Sequence, residues 1–382
     1  MKVVIATRLF APEVAAAAFR LKALADGFAD AGHQVTVLTT TPPKFAVPQA
    51  FPRFDVRRWP VLRDAGGNVR GYVQYLSFDG PLAARLLFTS ADVVICEPPP
   101  TTGVVAAIAC LLKRKPFYYY AADIWSDALV AIGAHKAVVG VMRGFERFAL
   151  RRARGVVAVS DGVAERVREL GVPADRVRVV QNGVDTSTFH RTEAEPVPDG
   201  KGYFVYTGTM SEWQGSDVFV RAMPAVLAKH PDVTLRFFGQ GTAEKALRAL
   251  AADLAPGRVE FGGVVPPAEA ARWISGAVGS LASIVPGQGY DFAKPTKIYA
   301  AAACGTPMLF AGVGASAELI NDNKLGLVAE YTPEAVAEQM LALLDGHAVD
   351  RDHLVSWVGE NASLATTGRN AARWVAEDLG QA

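Results

Sequence analysis

Short runs of β-branched residues alternate with longer helical patterns from one end of this sequence to the other, and no other feature constrains the fold as strongly. In the first half the runs are Val3–Thr7, Val35–Thr39, Asp92–Cys96, Phe117–Ala121, Val156–Val159 and Val177–Val180. Phe204–Gly208, Thr234–Gly239, Val259–Phe261, Gly279–Ile284, Pro307–Phe310 and Leu325–Val328 repeat the rhythm in the second. Strands interleaved with helices form parallel α/β layers rather than segregated blocks. One α/β architecture is therefore expected twice. A length of 382 residues agrees with two domains at about 150 residues each.

Periodicity fails between Phe189 and Gly202, where Glu193, Glu195, Pro196, Pro198, Asp199 and Gly200 cluster, so the linker is expected there. The expected domains are 1–190 and 202–349, followed by a helical segment, 350–382, that can pack back on the first domain. Between Ala50 and Phe78 the pattern is irregular, with Arg53, Arg57, Arg58, Arg63 and Arg70 among aromatic residues. Two readings stay open for this stretch: a β-rich excursion shaping an acceptor site, or a surface insertion with snorkelling arginines.

Charge narrows the partners. Lys plus Arg is 39 against 38 for Asp plus Glu, so no global field draws the chain to nucleic acid. Cys96, Cys110 and Cys304 sit in apolar runs without short-spaced Cys or His partners, which predicts buried free thiols and neither a zinc site nor a disulfide framework. A strand pattern begins at Lys2, leaving no room for a signal peptide, and no apolar run is long enough to span a bilayer. A cytoplasmic protein is expected, with any membrane contact peripheral. From Val138, the residues Val141, Met142, Phe145, Phe148 and Ala149 recur at helical spacing beside a stripe of Arg143, Arg147, Arg151 and Arg154. That helix reads either as an ordinary solvated face over a core or as a basic surface for anionic lipid.

Several segments carry chemistry. A strand, a helix from Glu13 to Asp30 and a second strand make a crossover unit whose first turn faces a ligand crevice, although no G-x-G-x-x-G occurs in it. Tyr118 to Asp127 leaves a strand at its carboxyl end, the edge where open α/β sheets bind ligands. There Asp123 can orient an acceptor hydroxyl or take its proton, and Asp127 is a candidate for the same edge or for a helix N-cap.

The order VVAVSDGVAERVRELGV, VRVVQNGVD, FVYTGTMSEWQGSDVFVRAMPAVL, RFFGQGTAEKALRAL, VEFGGVVP and KPTKIYAAAACGTPMLFAG resembles the retaining family-4 glycosyltransferases, from Lys2 to about Leu344. The resemblance implies the GT-B fold, an α/β architecture of two Rossmann-like domains facing across a cleft, with the donor on the second. It also implies transfer of a sugar from a nucleotide-diphosphate donor to a hydroxyl acceptor, which can be a glycan, a lipid-linked sugar or a small molecule. Retention at the anomeric carbon, without a metal or other cofactor, completes the expectation. The donor set expected on this ground is Gly208, Thr209, Ser211, Gln214, Gly239, Gly241, Gly263, Val264, Gly289, Tyr290, Asp291, Lys294, Thr296 and Lys297. Glycine turns admit phosphate against backbone, and Lys297 at a helix start suits a leaving diphosphate. Pro12, Glu13, Arg20 and Trp125 are expected on the acceptor side.

The sequence also departs from the family. Thr209 and Gln214 stand where many members carry Arg and Lys, and Phe292 and Ala300 replace both carboxylates of the family's E-x7-E pair. Asp291 adjoins the first loss, and Ala122 occupies the position of a common histidine. Some bacterial relatives similar to transferases of amino or deoxy sugars share the uncharged residue and the Gln. Two rival readings remain: a sugar-nucleotide epimerase on the same architecture, and a non-catalytic binding protein.

Overall fold

The structure is a computed structural model that describes residues 1–13, 15–43, 49–64, 67, 69, 71–131, 133–192 and 202–381. Two compact units emerge, one formed by Met1–Gly183 with Leu364–Ala382 and the other by Val184–Ser363.

In the first unit the chain runs β1 (Lys2–Ala6), α1 (Ala16–Asp30), β2 (Gln34–Thr40), β3 (Asp55–Trp59), α2 (Tyr72–Phe88), β4 (Val93–Cys96) and α3 (Pro100–Lys113). It continues through β5 (Phe117–Ala121), α4 (Trp125–Ala131), α5 (Lys136–Arg152), β6 (Gly155–Ala158), α6 (Asp161–Glu169) and β7 (Val177–Val179). The strands form one sheet in the order β3-β2-β1-β4-β5-β6-β7, and every pairing is parallel. Central strands such as Val93–Cys96 are buried along their whole length, as a sheet covered on both faces requires. The order reverses between β1 and β4, so the switch-point crevice lies beyond Ala6 and Cys96.

The second unit holds β8 (Tyr203–Thr207), α7 (Asp217–Leu227), β9 (Thr234–Phe238), α8 (Glu244–Leu254), β10 (Val259–Gly263), α9 (Pro267–Ser275) and β11 (Gly279–Ser283). After these come α10 (Thr296–Ala303), β12 (Met308–Ala311), α11 (Ala315–Asp322), β13 (Gly326–Ala329), α12 (Pro333–Leu344) and α13 (Arg351–Asn361). Its parallel sheet runs β10-β9-β8-β11-β12-β13. The same rule applies: its reversal lies between β8 and β11.

All twelve expected strands are present within one or two residues, and β3 is an addition. It escapes periodicity because Asp55, Arg57 and Trp59 are exposed on an edge strand, leaving Val56 as its one aliphatic residue. The arginines of this region are braces rather than loose surface charges. Arg58 donates to Thr40 O at 3.0 Å and Ala11 O at 2.7 Å, while Arg53 pairs with Asp26 and Asp30. Arg70 and the interdomain stretch 193–201 lie outside the described residues.

The segment 350–382 is not one helical block. It breaks at Ala362 and Ser363: α13 stays in the second unit, and α14 (Leu364–Asp378) joins the first, against α1. Gly368 is required by that contact, since a Cβ there would lie 2.1 Å from Ala23 O. At the crossing, Val184 N donates to Ala362 O at 2.8 Å and Val184 pairs with Ser363 as an isolated parallel bridge. Thus the units divide at Gly183 and Ser363, earlier and later than the composition change alone suggests. The three cysteines are free and buried.

Candidate functional site

The carboxyl edge of the second sheet is built from glycine turns. Gly208 follows β8 with φ +112°, and Gly239 follows β9 with φ +135°. A Cβ on Gly239 would lie 1.9 Å from Gly208 O, so the two turns touch through backbone alone and no side chain fits between them. This leaves room above them. A cavity of about 460 Å³ opens there, and its walls bring together seven of the expected donor residues: Gly208, Thr209, Gln214, Gly239, Val264, Thr296 and Lys297.

Lys297 dominates its electrostatics. It is the second residue of α10, its stem is partly exposed, and its Nζ is enclosed 3.7 Å from the centroid of the Tyr206 ring with no hydrogen-bond acceptor. Enclosure without an anion disfavours the ammonium, and burial pushes the group down from 10.5 to about 7. The ring face offers the cation partial compensation. An anion entering the cavity would supply the rest.

Gln214 also has a structural role. It is buried, and its Oε1 lies 3.1 Å from the Tyr206 hydroxyl and 3.4 Å from Ser211 N. Together with Ser211 it forms a capping box on the 212–214 turn, so its amide oxygen holds the loop while the residue still lines the cavity. Ser211 itself lines a separate cavity of about 600 Å³ beside α7 and α8.

Other expected donor residues lie outside the cavity wall. Gly241 is a packing glycine, since a Cβ there would meet Met210 O at 2.1 Å. Gly263 ends β10 and is absent from the wall, which Val264 and Val265 after it reach. Tyr290 stacks on Trp213 with centroids 4.5 Å apart. Asp291 does not replace the missing carboxylate: its Oδ2 accepts from Gly287 N at 3.2 Å within its own loop. Gly289 and Lys294 belong to the same loop and are absent from the lining.

Apart from Thr207 the rest of the wall is apolar. Val184, Phe189, Phe238, Val265, Ala270 and Ala300 contribute to it. None of these has a sequence signature distinct from core, which is why pattern reading missed them; only the absence of a carboxylate at Ala300 was visible. Phe292 is 61% exposed and lies outside the wall.

In the first unit, Asp123 is exposed two residues beyond the carboxyl end of β5. Trp125 opens α4, with its ring edge-on to Tyr75 at 5.7 Å, and the Arg8 guanidinium lies 4.6 Å from the Tyr75 centroid and 5.6 Å from that of Trp125. Asp127 caps nothing, because both its oxygens are held by Arg166 at 2.7 and 2.8 Å. Glu13 pairs with Arg63 at 2.9 Å, and Pro12 lies half-buried beside it. Arg20 is buried at the switch point and meets Glu97 at 3.0 Å; Glu97 also accepts from Thr7 Oγ1 at 2.8 Å. Glu13 and Arg20 are thus each held in an internal ion pair.

Comparison with known proteins agrees with this layout. The family described as Glycosyltransferase Family 4 matches residues 17–188, and that described as Glycosyl transferases group 1 matches 201–346. A D-inositol 3-phosphate glycosyltransferase of Acidothermus cellulolyticus is 29% identical over 191 residues, which is 46% of this chain and 42% of that protein. A GDP-mannose-dependent monoacylated alpha-(1-6)-phosphatidylinositol monomannoside mannosyltransferase of Corynebacterium glutamicum is 30% identical over 139 residues, 35% of each chain. These matches span less than half the length of the curated relatives. Among solved structures, Anabaena Alr3699/HepE in complex with UDP superposes with a TM-score of 0.68 at 17% identity, covering 99% of this chain and 100% of that one. A Rickettsia africae glycosyltransferase gives 0.70 at 16% identity, covering 100% of both. At such identity the likeness speaks to the fold.

Proposed function

The chain belongs to the family-4, group 1 glycosyltransferases and has their GT-B fold, and from that premise we propose that it moves a sugar from a nucleoside-diphosphate donor to a hydroxyl acceptor. One observation carries the reading: an enclosed lysine ammonium without an acceptor, set over two touching glycine turns at the carboxyl edge of the second sheet. The donor diphosphate lies at the Lys297 end of the cavity and its nucleoside against the apolar wall of Val264, Phe238 and Ala300.

As the bond to the sugar breaks, negative charge grows on the departing phosphate. Lys297 is already in place to meet that charge, so little reorganisation is needed at that moment. The acceptor hydroxyl loses its proton, in this reading to the leaving phosphate, and Asp123 orients the hydroxyl. Transfer proceeds with retention at the anomeric carbon and without a metal ion. Incubation with a panel of nucleotide sugars and acceptors tests this: free nucleoside diphosphate and an α-linked product from an α-linked donor are expected, undiminished in excess chelator. An isomerised donor, or no turnover with any donor, would remove the assignment. An inverted product or strict dependence on Mg or Mn would overturn the mechanism.

Proton linkage gives a second test. Free Lys297 is largely neutral above pH 7, and a bound diphosphate favours its charged form, so binding at pH 8 should take up about one proton. Nucleotide affinity then falls as pH rises from 7, by up to about tenfold per unit. Titration calorimetry in buffers of different ionisation enthalpy reads the uptake directly. Binding heats independent of the buffer would place Lys297 away from the phosphates.

A further inference from the structure

The cavity over the glycine turns is polar at one end only. Among the described residues of its wall five carry polar side chains, and all five gather around the Lys297 ammonium. Thr207 and Thr209 flank Gly208, where a Cβ would lie 3.8 Å from Lys297 Nζ. Thr296 precedes Lys297 on α10, and Gln214 meets the hydroxyl of the tyrosine whose ring carries the ammonium. Lys297 is the one charged residue among them, and no carboxylate joins it.

Away from the lysine, the wall offers a ligand little beyond carbon. Ala300 follows Lys297 by three residues, about 4.5 Å along α10. Phe238 stacks on Trp273 with centroids 5.2 Å apart, and a Cβ on Gly262 would lie 2.3 Å from the Phe238 ring, so that ring is wedged in place. Backbone partners are scarce as well. Pro267 and Pro295 have no N–H, and Ala270 N already donates to Pro266 O at 3.0 Å. Beside Val264, Gly263 O already accepts from Gly239 N at 2.7 Å.

Nucleosides differ in what they ask of such a wall. The 2′- and 3′-hydroxyls of a ribose must find acceptors once water leaves, and each one left unpaired weakens binding. A deoxyribose brings one fewer. Bases are told apart by hydrogen bonds at their edges, except that thymine alone among the common ones presents a methyl group, which apolar side chains read. On the sugar-transfer reading, from which this follows, we propose that the donor is a thymidine diphosphate sugar. Its thymine methyl and deoxyribose lie against Val264, Phe238 and Ala300, and its diphosphate takes the Lys297 end.

Titration calorimetry of the full chain with dTDP, dUDP, 5-methyl-UDP and UDP separates the two contributions. The methyl should tighten binding about fourfold, as one buried carbon does. Loss of the 2′-hydroxyl should add at least about fivefold, so dTDP exceeds UDP by roughly twentyfold. Val264→Ala, at a residue 68% exposed, should shrink the methyl effect and leave the hydroxyl effect. Ala300→Ser supplies an acceptor and should shrink the hydroxyl effect instead; if it lowers the parent's melting temperature, the four nucleotides on the parent chain decide that effect alone. UDP binding as tightly as dTDP, or GDP or ADP binding more tightly, would overturn the thymidine assignment and leave nucleotide-dependent transfer standing. So would both effects persisting unchanged in two well-folded variants. Binding of none of these nucleotides would remove both readings.

Discussion

Lys297→Met is expected to lower kcat/KM for sugar transfer by roughly a hundred- to a thousandfold, the range seen when one preorganised partner of a developing negative charge is removed. The same substitution should make the unliganded protein more stable, not less. Native Lys297 releases its proton at about pH 7, whereas in the unfolded chain it holds it to about 10.5. Below pH 7 both states are protonated and the full cost of enclosing an unpaired ammonium bears on the fold. Between these values the unfolded chain binds more protons, so stability climbs with pH. Methionine removes the cost, and thermal melts of the variant should exceed the parent most clearly below pH 7 and flatten toward pH 10. A variant that loses activity and stability together would make Lys297 a structural lysine.

Arg20→Ala is expected to destabilise the first unit by about 3–5 kcal/mol, because it leaves the buried Glu97 carboxylate without its cation. Glu97→Gln in the same background should recover most of that loss, since a neutral amide needs no counter-charge and can still accept from Thr7. Denaturant melts of the single and double variants measure the difference. A single variant within about 1 kcal/mol of the parent would show that Arg20 is spare and open to a ligand instead.

The legible parts of this molecule share one property: their signals are local. β-branched runs mark twelve strands because every residue needed lies within the run. The turns at Gly208 and Gly239 announce themselves because few other residues adopt their φ. Lys297 was visible because an exposed lysine at a helix start opposes the helix dipole. What stayed hidden depends on distant partners. Glu97 lies 77 positions from Arg20, and Asp127 lies 39 from Arg166, so neither pairing leaves a trace in spacing. The cavity wall at Phe238 and Ala300 reads as core because an apolar residue facing a cavity is spelled like one facing a neighbour. Helix α2 was missed since it is apolar on both sides, and periodicity detects only contrast.

The contact between α1 and α14 has a consequence for how the chain is made. Residues 16–30 leave the ribosome early, yet the helix that covers them is encoded more than three hundred codons later. Until residues 364–378 emerge, the side of this helix at Ala23 and Gly27 lacks the helix that packs against it. Chaperone occupancy on the growing polypeptide should therefore persist on residues 16–30 and end only once residues 364–378 have emerged.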